Sequence, residues 1–85
     1  MTLVRLMALN TIHEVLLDLG WCRPQNFTEE TKIKENIDSI EILEITMELE
    51  RKLSIKISND LVDEWITISD IINTIEDLTP TLKAK

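Results

Sequence analysis

A chain of 85 residues is long enough for one compact domain and too short for two, and its modest core leaves no bulk for a deep catalytic cleft. With 16 acidic against nine basic side chains it carries a formal charge of −7, which disfavours nucleic acid and anionic membranes as partners and favours basic patches on other proteins. The single cysteine, Cys22, excludes an intrachain disulfide and a cysteine-based zinc site, and it suits a reducing compartment such as the cytoplasm.

Ala8, Leu9, Ile12, Val15, Leu16 and Leu19 recur at three- and four-residue steps and predict a first helix over 3–19. Gly20 is placed to stop it, with Pro24 just beyond. The apolar run from Leu3 to Leu9, interrupted by Arg5, is too short to cross a membrane and has no cleavage site after it, so no membrane insertion is expected. His13, alone on this helix, makes no metal set with the lone cysteine and is expected at the surface or half-buried. Residues 20–38 form a long connection of the kind that often carries function. Trp21, Phe27, Ile33 and Ile37 along it are expected to pin it to the core, with Cys22 partly buried within it.

The second helix is predicted from Asp38 or Ser39 to about Leu53. Asp38 can cap the free backbone N–H groups, and Glu41 three residues on completes a capping-box pattern. Ile42, Ile45, Leu49 and Leu53 supply a core face; Ile40, Leu43 and Met47 form a second apolar row, with Glu41, Glu44 and Glu48 as an acidic row beside it. Two apolar rows are more than one buried face requires.

Residues 54–58 read as a short connection, although Ile55 and Ile57 alternate with polar neighbours and leave a brief strand open. A short third helix follows over 59–65, with Leu61, Val62 and Trp65 facing inward. Thr67 or Ser69 starts the last helix, whose stripe is Ile68, Ile71, Ile72, Ile75 and Leu78, and Thr79-Pro80 ends it. Residues 79–85 are expected to form a loose tail. Between Lys56 and Lys83 there is no base, yet Asp60, Asp63, Glu64, Asp70, Glu76 and Asp77 fall there, an acidic surface. The expected fold is all-α: one domain over 1–85 with a helical core over 3–78, a small four-helix bundle of three longer helices and one short one, with a long loop between the first two.

Asp38-Ser39-Ile40, opening an acidic amphipathic helix, resembles the Asp-Ser-Leu motif of acyl carrier proteins. Glu41, Leu43, Glu44, Met47, Leu49 and Glu50 fall where that family has acidic and apolar residues, and Ile57-Ser58 stands where it often has Ile-Pro. Trp65 to Ile72 is similar to its entry into the last helix, and the pattern extends from Asp38 to about Leu78 without a gap. Three features depart from the family: Lys34-Glu35-Asn36-Ile37 replaces a Leu-Gly pair, Ile follows the serine, and Arg51 and Lys52 stand where fatty-acid carriers tend to be acidic.

The resemblance implies a 4'-phosphopantetheine arm, derived from coenzyme A and attached covalently at Ser39, with Asp38 as motif residue and helix cap. The arm carries acyl intermediates as thioesters in fatty acid or polyketide biosynthesis. It implies a monomeric cytoplasmic carrier that is itself no enzyme, modified by a phosphopantetheinyl transferase and visited by acyl-transferring and synthase enzymes with basic docking patches. Ile40, Glu41, Leu43, Glu44, Met47 and Glu48 are the implied docking face. The family also implies a core that opens for an acyl chain, for which Ile45, Leu49, Ile68 and Ile72 are candidate lining. Two other readings stay open. Glu64-Trp65 resembles the same pair in D-alanyl carrier proteins, which points to an aminoacyl cargo. Alternatively the chain is an unmodified acidic helical interaction module, with Ser39 an ordinary cap serine. No catalytic base, metal set or phosphate loop marks an enzyme acting alone.

Overall fold

The structure, a computed structural model, describes residues 3–21 and 26–79. Cys22 and Pro24 lie outside the described residues, as do residues 80–85 of the expected tail. Five helices run through the described residues: α1 (Leu3–Asp18), α2 (Ile33–Asn36), α3 (Ser39–Leu53), α4 (Asn59–Glu64) and α5 (Ile68–Leu78). The expected helical bundle is therefore present, with one element added. The single turn α2 has only four residues, too few for a periodic pattern to announce it.

α1 packs against α3 and α5. Its expected stripe is buried from Ala8 to Leu16, and it faces Ile45 and Leu49 of α3 and Ile68, Ile71, Ile72 and Ile75 of α5 in one continuous core. Full burial of each such aliphatic side chain is worth about 2 kcal/mol. The helix ends one residue earlier than predicted, in a Schellman motif. The N–H of Trp21 reaches the carbonyl of Leu16 at 2.9 Å, and that of Gly20 reaches Leu17 at 3.0 Å. Gly20 holds φ +97°, in the region only glycine enters without strain.

The described part of the long connection, from residue 26 on, is stitched down. Ile33 and Ile37 are buried, and Trp21 meets Phe27 edge to face at 5.3 Å. His13, half-buried, donates from Nε2 to the Phe27 carbonyl at 2.8 Å, so its role is to hold this loop to α1. The loop also completes α5. Carbonyls of Thr31 and Glu29 accept from the N–H groups of Ile68 and Ser69 at 3.0 and 2.9 Å, donors that the first turn of a helix leaves without intrahelical partners. The Ile33 N–H returns to Ile66 at 2.8 Å, giving an isolated antiparallel bridge between Lys32 and Thr67.

No strand forms at residues 54–58. The Ile57 N–H, which a strand would pair with a neighbour, is taken at 2.8 Å by the Glu50 carboxylate. Ser54 turns the chain at φ +55°, a left-handed position where glycine is usual, so nothing in its identity signals the turn. Ser58 caps α4, accepting from Leu61 N–H at 3.3 Å. Trp65, expected inside the third helix, is instead its C-cap, and Leu61 and Val62 are only half-buried. Thr67 is the N-cap of α5, and the Asp70 carboxylate accepts from the N–H groups of Ile66 and Thr67 at 2.8 and 3.1 Å. Thr79, the expected start of the tail, is buried and its N–H still bonds Ile75.

The buried Trp65 indole donates from Nε1 to Thr74 Oγ1 at 2.9 Å, and that hydroxyl donates to the Asp70 carbonyl at 3.0 Å. Thr74→Val keeps the shape but leaves the indole N–H without an acceptor, at a cost of about 1–1.5 kcal/mol. The expected result is a thermal midpoint lower by roughly 5–10 °C, measured by circular dichroism. An unchanged midpoint would show that this bond is not needed.

Candidate functional site

The site is built at the head of α3. Asp38 accepts from the Glu41 N–H at 2.8 Å, and the Glu41 carboxylate accepts from the Asp38 N–H at 3.0 Å, closing the capping box. Asp38 thus takes the N-cap position and Ser39 becomes the first residue of the helix. The Ser39 side chain is exposed and enters no hydrogen bond among the described residues. The reading of Ser39 as an ordinary cap meets a residue already doing that work, Asp38.

The chain has four serines, and their surroundings differ. Ser58 is spent as the cap of α4, and Ser69 Oγ is held by Arg5 at 2.9 Å. Ser54 is exposed but lies at the C-terminal end of α3, where the helix dipole disfavours an anion. Ser39 alone combines exposure, an uncommitted hydroxyl and a helix N-terminus, where free N–H groups and the dipole favour negative charge.

A cavity of about 490 Å³ opens beside it, between α2, α3 and α4. Ile33, Ile37, Ile42, Val62 and Trp65 give it apolar walls, while Lys34, Asn59 and Asp63 are among its polar groups. Ile45, Leu49, Ile68 and Ile72, the candidate lining of an opened core, do not wall this space; they lie in the core between α1, α3 and α5. An exposed hydroxyl on a helix's first turn, with an apolar space next to it, fits the covalent attachment of a flexible phosphate-linked arm.

Along α3, Ile40, Leu43 and Met47 are 71%, 56% and 60% exposed, an apolar row outside the core. The acidic row is not uniform. Glu41 is half-buried in the capping box, and Glu48 accepts from Arg51 Nη2 at 2.6 Å. That bond to Glu48 holds the Arg51 proton more tightly than usual. Glu44 is exposed and unpaired among the described residues. Lys52, one of the two unexpected bases, reaches back to Asp18 on α1 at 3.1 Å. The pair Glu64-Trp65 divides between an exposed carboxylate and the buried indole already bonded to Thr74.

Arg5, in the sequence an interruption of an apolar run, carries structural weight. Arg5 donates to Glu29 at 2.6 and 3.1 Å, to Glu76 at 2.7 Å, to Asn73 at 2.7 Å and to Ser69 at 2.9 Å. It clamps α1 to the long loop and to α5. The hydrogen bond that Arg5 donates to Glu29, reinforced by the charges of Glu29 and Glu76, outweighs burial and raises the affinity of the guanidinium for its proton.

Comparison with known proteins shows the family. Residues 25–75 match the family model described as a phosphopantetheine attachment site. The chain is 31% identical over 67 residues to an acyl carrier protein of Wolinella succinogenes, covering 76% of this chain and 88% of that protein. It is 30% identical over 69 residues to an acyl carrier protein of Campylobacter concisus, covering 79% and 90%, and 32% identical over 69 residues to one of a Sulfurovum species, covering 79% and 92%. No helix among the described residues is long and apolar enough to cross a membrane. The chain belongs to the acyl carrier protein family, whose prosthetic group is a covalently attached 4'-phosphopantetheine.

Proposed function

We propose that Ser39 is the attachment residue and that this chain carries acyl intermediates as thioesters in fatty acid or polyketide biosynthesis, as a cytoplasmic protein. The observation that carries the reading is the exposed, unbonded Ser39 hydroxyl on the first turn of α3, beside an apolar cavity. In the loading step the Ser39 oxygen attacks the phosphorus of coenzyme A that bears the pantetheine. The bond to the bridging oxygen breaks, the nucleotide bisphosphate leaves, and the serine proton passes to a base on the transferase. Ser39 therefore needs no base of its own. Once attached, the arm supplies a terminal thiol for the cargo.

The test is intact mass after incubation with coenzyme A and a broad-specificity phosphopantetheinyl transferase. One added arm is expected; an unchanged mass would count against the attachment reading. Loading the modified chain with acyl and with aminoacyl donors then separates an acyl from a D-alanyl-type carrier, and acyl loading is expected.

The exposed row Ile40, Leu43 and Met47, edged by Glu41, Glu44 and Glu48, supports α3 as the docking face for the transferase and for synthase enzymes with basic patches. Glu44 is the cleanest probe, because reversing Glu41 would also break the capping box. Glu44→Lys is expected to slow modification roughly threefold to tenfold at low salt and to flatten its salt dependence. Equal rates for both proteins across a salt series would remove Glu44 from the docking surface.

A further inference from the structure

The cavity beside Ser39 has one base among its lining residues, Lys34, against two acids, Asp38 and Asp63. This protein has acids to spare, and its other described bases largely use them. Arg5 pairs with Glu29 and Glu76, Lys32 with Glu35, Arg51 with Glu48 and Lys52 with Asp18. Lys34 is exposed and has no acidic partner among the described residues. Its backbone is nevertheless fixed. The turn α2 is anchored by buried Ile33, by the bond from Ile33 N–H to Ile66, by the Asn36 side-chain amide donating to Lys32 at 2.7 Å, and by buried Ile37 at its end.

Loading adds a negative phosphodiester at Ser39, next to Asp38 and Glu41 and in the same cavity as Asp63. The N-terminus of α3 offsets part of that repulsion. Resting on the attachment reading above, we infer that Lys34 is the counter-charge of the loaded site: its ammonium pairs with the phosphodiester on Ser39 and holds the base of the arm against α2. Lys34 is then a positioning residue, idle in the unmodified chain and engaged only once the arm is in place.

The test is a cycle of four proteins: the unmodified and modified forms of the natural chain and of Lys34→Gln, with thermal midpoints read at low and high salt. Modification is expected to raise the midpoint of the natural chain by about 2–5 °C more than that of Lys34→Gln at low salt, and the difference is expected to vanish at high salt. Lys56→Gln, which removes another exposed lysine that does not line the cavity, is expected to show the natural response. A Lys34→Gln shift of equal size in both forms, or an equal loss in Lys56→Gln, overturns the pairing. Intact mass is read first. A chain that gains no arm overturns the attachment reading and this inference together, whereas a modified chain without the coupling overturns only the role of Lys34.

Discussion

Ser39→Ala is expected to leave the mass of the chain unchanged after incubation with coenzyme A and transferase, while its thermal midpoint stays within about 3 °C of the natural protein. The two halves of this result belong together. Asp38 and Glu41 close the capping box between themselves, so Ser39 is spare in the cap of α3. Alanine is also well tolerated inside a helix. Loss of modification would then be a loss of the nucleophile and not of the fold. Asp38→Ala supplies the contrast. Removing the capping carboxylate should cost about 1 kcal/mol and lower the midpoint by roughly 4–8 °C, with the serine still present to be modified. If Ser39→Ala still gained an arm, another hydroxyl would be the acceptor. Exposed Ser54 would be next in line despite its place at the wrong end of α3.

The largest loss of stability is expected from Arg5→Ala. The guanidinium joins α1 to residue Glu29 of the loop and to Ser69, Asn73 and Glu76 of α5. Its side chain is 21% exposed, and those of Glu29 and Glu76 are 17% and 26% exposed, so water screens these pairs only in part. Hydrogen bonds to charged groups contribute about 1.5–3 kcal/mol each, and exposed ion pairs about 0–1 kcal/mol. For the whole cluster we expect a loss of about 2 kcal/mol, a midpoint lower by roughly 10 °C. Arg5→Lys should recover less than half of it, because one ammonium cannot span partners that a planar fork reaches on several sides. Since pairing raises the proton affinity of a group already charged, the guanidinium's contribution is fully present at neutral pH and is lost as Arg5 deprotonates in strong alkali. A drop of less than about 3 °C in Arg5→Ala would place the cluster among solvated surface pairs.

Both predictions bear on function through the same loop. Arg5 fixes Glu29, whose backbone carbonyl accepts from α5, and the adjoining bridge from Lys32 to Thr67 holds α2 beside Ser39. Weakening the clamp should therefore loosen α2 as well as lower the midpoint. Hydrogen exchange at the Ile33 and Ile37 amides reads this directly and is expected to be faster in Arg5→Ala.

The sequence by itself determined four of the five helices of the described residues, most of their ends and the residues at the head of α3. Each rests on a relation between residues no more than four or five apart: a stripe at helical spacing, Gly20 after the last apolar residue of α1, Asp38 facing Glu41. The same range explains what it could not deliver. Ser54 turns the chain without a glycine, and the four residues of α2 carry no period. Arg5 finds partners 24 to 71 positions away, and the cavity beside Ser39 is assembled from α2, α3 and α4. Which acids on α3 are free, which aliphatics wall the cavity and which lysine lines it were decided only by tertiary packing. Side-chain chemistry names the groups that can interact, but distances between segments far apart in the chain exist only once the core has closed.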